Sequence, residues 1–271
     1  MDYTVSNMKT VIIVSLKGGT GKSTTTVQLA KALQRKGNKI GLLDVDVTAP
    51  TLHKALGMAE LPRWGKDSVA EVVLPFQVDG LYGLTMASHF GENPAVLWDE
   101  PTLIHAMKQL VTGVVQWPEL DYLLLDSPPS SSGFMQALYD YLPDLYGVVL
   151  VFQPTAIAAA DFPRTINFLE RKRVPIIGLV TNMGRCISPS GEEFWPFISP
   201  KVDLASICKK YGIAILGDIP LTPDERLIAA EFDEVANNFE KVRPRILEPN
   251  IAIKLYKDLK RRLLKVAVRS L

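Results

Sequence analysis

The sequence predicts an α/β fold, a mainly parallel twisted sheet flanked by helices, and three observations carry that prediction. Short apolar, β-branched runs recur along the 271 residues. Longer segments with helical spacing separate them. A glycine-rich turn, "KGGTGKST", joins the first run to the first of these segments. Parallel strands need long crossovers, and strands covered on both faces read as continuous apolar runs, which is the alternation seen here.

Taken in order, strands are predicted at Val11 to Leu16, Lys39 to Asp44, Asp121 to Asp126, Gly147 to Phe152, Ile176 to Asn182 and Ile213 to Leu216, with Leu81 to Ala87 as a further one. Helices are predicted at Lys22 to Lys36, Leu103 to Val115, Ala156 to Arg171, Leu204 to Tyr211 and Pro223 to Phe239. The stretches Met58 to Lys66 and Ile187 to Lys201, rich in Pro, Gly and charge, read as loops and not as linkers. No repeat or low-complexity tract interrupts the pattern, so residues 1–271 are expected to form a single domain.

Composition narrows the classes. Lys and Arg number 30 against 29 Asp and Glu, so overall charge gives no support to wholesale nucleic-acid binding. The two cysteines, Cys186 and Cys208, are too few for a disulfide framework and match no zinc-ligand spacing, as expected in a reducing compartment. Met1 to Asn7 lacks the regions of a signal peptide, and no apolar run approaches the roughly 20 residues of a spanning helix. The expected location is cytoplasmic.

The glycine turn is where chemistry enters. In the general phosphate-loop pattern G-x-x-x-x-G-K-[ST], Gly21, Lys22 and Ser23 occupy the closing positions, while Leu16 stands where the first glycine would be and Lys17 follows it. Gly18, Gly19, Thr20 and Gly21 let successive backbone N–H groups turn toward phosphate oxygens, and the N-terminus of the helix carrying Ser23 and Thr24 adds partial positive charge. Lys22 is expected to neutralise β- and γ-phosphate charge, and the Ser23 hydroxyl to ligate Mg²⁺.

A metal at such a loop needs carboxylates from neighbouring strand ends. Asp126 closes the run "YLLLD" and is expected to hold Mg²⁺ through water. Asp44 and Asp46 close "IGLLDVD", where alternation points both to one side at the carboxyl edge of the sheet. Asp46 is assigned to orienting the attacking water, and Asp44 to supporting the metal shell.

"KGGTGKST" resembles the deviant Walker A motif of the ParA/MinD class of P-loop ATPases, whose extra lysine is its signature. Further stretches resemble the Mrp/ApbC branch, the iron–sulfur carrier ATPases: "LLDVDVTAPTLHKALGM", "VLWDEPTLIHAMKQLVTGVVQWPELDYLLLDSPP", "FQPTAIAAADFPRTINFLE", "IIGLVTNM" and "LGDIPL". The resemblance spans about Lys9 to Ala230 and implies a slow Mg²⁺-dependent ATPase working as a homodimer across the nucleotide. It also implies that Lys17 reaches the partner's nucleotide, that Asn182 and the loop after Pro220 hold adenine, and that "DSPPSSSG" is the switch after Asp126.

Two departures stand out. The family's C-x-x-C pair, which in a dimer supplies four thiolates to a [4Fe–4S] cluster, falls on Cys186 and Pro189 here. Cys186 is then the candidate ligand, with Cys208 the only other thiol that could complete a set, and the isolated chain is expected to hold no stable cluster. The switch has Ser130-Ser131-Ser132-Gly133 in place of the usual glycine-threonine-glycine-aspartate run.

From Lys254 to Arg269 there are seven basic residues and one acidic one, Asp258, with Ile251, Leu255, Leu259 and Leu263 on one stripe of a helix. Residues 250–271 therefore read as a basic amphipathic helix, which packs on the sheet or meets DNA or an anionic membrane. On that alternative the chain is a positioning or partition ATPase; another is a scaffold that binds ATP without hydrolysing it. Trp98, Trp117 and Trp195 read equally as core or loop anchors or as partner contacts, and His53, His89 and His105 have no metal-ligand spacing. Cargo and partner proteins are not legible.

Overall fold

The structure is a computed structural model that describes residues 8–15, 17–46, 50–63, 65–67, 72–90, 99–128, 133–142, 144–196 and 203–247. The expected basic helix at 250–271 lies outside these residues, as do Leu16, Trp98 and the switch serines 130–132.

Eleven strands are described: β1 (Lys9–Ser15), β2 (Ile40–Asp44), β3 (Gly65–Asp67), β4 (Val72–Leu74), β5 (Phe76–Val78), β6 (Leu81–Thr85), β7 (Tyr122–Asp126), β8 (Gly147–Phe152), β9 (Ile176–Ile187), β10 (Glu193–Phe194) and β11 (Ile215–Leu221). The main sheet runs β10-β9-β8-β1-β7-β2-β6-β5, with β11 also paired to β9. Pairings among β1, β2, β6, β7, β8, β9 and β11 are parallel, whereas β5 on β6 and β10 on β9 are antiparallel. The predicted mainly parallel sheet is observed, with antiparallel strands added at its margins.

Side-chain alternation along the central strands sends residues to two cores. Ile12, Val14, Leu123, Leu125, Val148 and Leu150 join one core, to which the helices Glu100–Thr112, Gly133–Tyr141, Ala156–Lys172 and Leu204–Tyr211 contribute. Val11, Ile13, Leu42, Leu124, Val149 and Val151 join the other, beneath the helices Lys22–Arg35 and Glu225–Lys241. This is a sheet between two helical layers, and it leaves the carboxyl ends of β1, β2 and β7 together at one edge.

Several elements differ from the sequence reading. The Gly133–Tyr141 helix was not expected, because its first turn follows a proline- and serine-rich run that signals a loop. It is held by burial of Phe134, Met135 and Leu138. Strand β9 continues five residues past the expected Asn182, through Met183 at φ 59°, and the loop expected at Ile187 to Lys201 contains β10, which pairs Phe194 with Cys186. The loop expected at Met58 to Lys66 likewise ends in β3, which forms a hairpin with β4. The last long helix starts at Glu225, capped by the Asp224 carboxylate, which accepts from Arg226 and Leu227 N–H.

Candidate nucleotide site

Strand β1 ends at Ser15, the chain turns through Lys17 to Gly21, and the helix begins at Lys22. Gly19 and Gly21 lie at φ 78° and 80°, a left-handed conformation costing an L-residue roughly 1–2 kcal/mol. At Gly21 a Cβ would also stand 2.2 Å from Asn182 Nδ2. Ser15 Oγ and Thr20 Oγ1 donate to the Lys17 carbonyl at 3.0 and 3.3 Å, and Asn182 Nδ2 donates to the Thr20 carbonyl at 2.8 Å. The loop's carbonyls are thus drawn into the protein. Among the described residues, the N–H groups of Gly18 to Lys22 donate to no protein acceptor. Such a row of unspent donors at a helix N-terminus is an anion cradle.

Register brings the carboxylates to this loop. Asp126 is the β-partner of Asp44, and Asp44 of Thr85, so the three form a row across the ends of β7, β2 and β6. Lys22 Nζ lies 2.5 Å from Asp126 Oδ1 and 3.9 Å from Asp46 Oδ2. Thr26 Oγ1, one helical turn beyond Lys22, reaches Asp126 Oδ1 at 3.5 Å. Asp44 accepts from Asp46 N–H at 3.0 Å, Leu52 N–H at 3.3 Å and Thr85 Oγ1 at 3.4 Å, all within its own strand-end and loop surroundings. Ser23 Oγ lies 2.7 Å from Thr51 Oγ1. Lys17 is exposed, while Lys22 is turned inward.

Burial sets the electrostatics. Desolvation, with the Asp126 charge beside it, holds the Asp44 carboxyl well above the usual carboxylate range. Burial raises Asp126 as well, against the pull of Lys22. Ionisation of the clustered acids Asp126, Asp44 and Asp46 is opposed by burial and mutual repulsion, which a cation in addition to Lys22 would relieve.

The residues fit hydrated Mg²⁺ with a nucleotide. The donors are all hard oxygens, and Asp126 Oδ2 is fully buried without a hydrogen-bond partner. Among the described residues, no group of three or more His, Cys, Asp or Glu side chains could hold a metal by themselves.

Other expected residues lie apart from the phosphate loop. Pro220 is buried on β11, next to Ile219, the β-partner of Asn182. Cys186 is buried further along β9, between Leu221 on β11 and Phe194 on β10. Cys208 is packed in the core with Phe162 and Ile213, and burial pushes its thiol up to about 11. The sequence reading missed Thr26, Thr51 and Thr85. Thr26 was legible in principle as a hydroxyl one turn after Lys22, whereas the other two depend on how β2 and β6 are placed.

A family model described as ParA: NUBPL iron-transfer P-loop NTPase matches residues 6–248. The chain belongs to this family. It is 30% identical over 253 residues to the iron-sulfur cluster carrier protein of Methanocaldococcus jannaschii, covering 88% of this chain and 83% of that one. It is 32% identical over 258 residues to the iron-sulfur cluster carrier protein of Pseudomonas fragi, covering 94% and 85%. Among solved structures it resembles a nucleotide-binding protein from Archaeoglobus fulgidus in complex with ADP, at TM-score 0.64 and 25% identity, covering 86% and 88% of the two chains. The Mrp/ApbC resemblance and the α/β fold of the ParA/MinD class are both upheld. Among the described residues of this NTPase, no helix is long and apolar enough to cross a membrane.

Proposed function

We propose that the chain is a slow Mg²⁺-dependent ATPase that works as a homodimer and uses its nucleotide state to time the handling of a cargo. The observation that carries this reading is the row of unspent N–H donors from Gly18 to Lys22 together with the Lys22 side chain set against the strand-end acids Asp126 and Asp46, with Asp44 the β-partner of Asp126. The donors, with Thr24 behind them at the helix start, take the phosphates, and Lys22 leaves Asp126 for the β- and γ-phosphate oxygens. Mg²⁺, when bound, would supply charge neutralisation to the phosphates. Ser23 and Asp126 hold it, the latter through water. Asp44 supports that shell at one remove, by keeping Asp46 and the Leu52 turn in place, and Asp46 orients the attacking water. Asn182 and Pro220, adjacent through the β9–β11 register, form the adenine side of the site. Exposed Lys17 is free to meet the nucleotide of a second copy, where it stabilises charge that develops in phosphoryl transfer.

The family and the names of the relatives support a role in iron–sulfur transfer. Because Pro189 stands where a second thiol of a C-x-x-C pair would fall, we propose that this chain does so without a stable cluster of its own. Single-turnover hydrolysis of ATP with and without Mg²⁺ tests the enzymatic reading. Release of phosphate that requires Mg²⁺ supports it; tight ATP binding with no phosphate release would leave a scaffold.

A further inference from the structure

The segment that follows Asp126 is held at its near end. Ser127, the next residue, is buried and donates its hydroxyl to the Ile13 carbonyl at 2.8 Å, so the exit from β7 is tied to β1. At its far end the segment enters the helix Gly133–Tyr141, which has no acidic residue in its first turn. The chains that this one resembles carry an aspartate where Gly133 stands, whereas here that position has no side chain.

An acid is nonetheless in place there, and it comes from another element. The helix Glu100–Thr112 is capped by Asp99, which accepts from Thr102 N–H at 3.1 Å, and Glu100 is its first residue. Glu100 Oε1 lies 2.8 Å, and Oε2 3.9 Å, from the point where a Cβ on Gly133 would stand. The carboxylate of one helix is thus set where a side chain on the other would begin. Negative charge at a helix N-terminus is favourable, because the first N–H groups there have no intrahelical acceptor. Resting on the Mg²⁺-dependent ATPase reading above, we infer that Glu100 is a positioning residue for hydrolysis: its carboxylate takes the place of an acid at position 133 and fixes the far end of the segment whose near end carries Asp126.

The test compares the full chain as wild type, Glu100→Gln, Gly133→Asp and the double variant that carries both changes. Each is followed by single-turnover phosphate release at saturating ATP and Mg²⁺, by ATP affinity, and by amide hydrogen exchange in the first turn of Gly133–Tyr141 without nucleotide. Glutamine keeps the shape but loses the charge, so Glu100→Gln should slow release and speed exchange by roughly three- to fivefold, with ATP affinity unchanged. Gly133→Asp alone sets two carboxylates against each other and should also slow release. In the double variant the acid is back on the helix it serves, and rate and exchange should return to within about 1.5-fold of wild type. A Glu100→Gln protein that releases phosphate at the wild-type rate, even with a lowered urea midpoint, would overturn the inference, and so would a double variant at least as slow as the two single effects multiplied. A wild-type chain that releases no phosphate would instead defeat the functional reading on which the inference rests, and hydrogen exchange would still decide whether Glu100 holds the helix start.

Discussion

Lys22 and Asp126, 104 positions apart in sequence, meet through a 2.5 Å contact between Nζ and Oδ1, and the aspartate is fully buried. On the proposed function, the lysine assigned to phosphate is held by the carboxylate assigned to the metal, and nucleotide entry would have to separate them. Burying either charge alone is costly, which keeps the pair closed while the loop has no anion.

The first prediction concerns that exchange. Asp126→Asn removes the charge that competes for Lys22 along with the outer contact to the metal. Binding of ATP in the absence of Mg²⁺ should be retained or tightened, and Mg²⁺-dependent hydrolysis should fall by about a hundredfold. The paired measurements are a nucleotide titration and single-turnover phosphate release; hydrolysis at the wild-type rate would remove Asp126 from the mechanism.

The two lysines of the loop should separate cleanly. Lys17→Ala is expected to keep most of its affinity for ATP but to lose ATP-dependent dimerisation and hydrolysis, as the proposed contact of the exposed ammonium with another copy requires. Lys22→Ala is expected to lose nucleotide affinity itself, by a factor on the order of 100 given the strength of charge-assisted contacts to phosphate. Light scattering with a non-hydrolysable analogue reads both, and an unchanged ATP-dependent dimer in Lys17→Ala would contradict the assignment.

Gly21 makes a sharper structural prediction. A methyl there meets Asn182 Nδ2 at 2.2 Å on a backbone at φ 80°. Gly21→Ala should destabilise the chain by about 2–3 kcal/mol, the sum of a left-handed residue and a steric displacement. In urea unfolding, adding Asn182→Ala should recover the steric part and leave the backbone part. Equal stability of Gly21→Ala and wild type would mean that the loop opens more readily than its contacts indicate.

The thiols supply the last prediction. Burial raises the Cys208 thiol from about 9 to about 11, so near pH 8 it reacts as a neutral, shielded group. Alkylation of Cys208 in the native chain should be at least about a hundredfold slower than in urea. The sign of the linkage follows from a raised pKa: the stabilising contribution is complete below about pH 9 and is lost as pH rises toward about 11. Anaerobic reconstitution with iron and sulfide should leave no stable cluster on the isolated protein, read by absorbance and iron content. A stoichiometric cluster that vanishes in Cys186→Ala would reverse that expectation.

What the sequence by itself determined was whatever depends on neighbours in the chain. A phosphate loop is local: glycines, Lys22 and Ser23 act within one turn, so spacing alone announced it. Buried parallel strands are apolar along their length, so β1, β2, β7 and β8 were visible as runs, and the acids closing β2 and β7 stood out against them. The tertiary structure decided whatever depends on register. Only the order β8-β1-β7-β2-β6 sets Asp126 beside Asp44 and Asp44 beside Thr85, and only that row delivers Asp126 to Lys22. Pairings over 28 to 104 positions leave no trace in local composition, so Ser23 with Thr51 was invisible. The same holds where context extended a local signal: the strand expected to end at Asn182 runs on through Met183, Gly184 and Arg185 because β11 and β10 pair with it on either side of Cys186. Residue chemistry was readable from order in the chain, whereas its convergence into a site follows from which strand lies next to which.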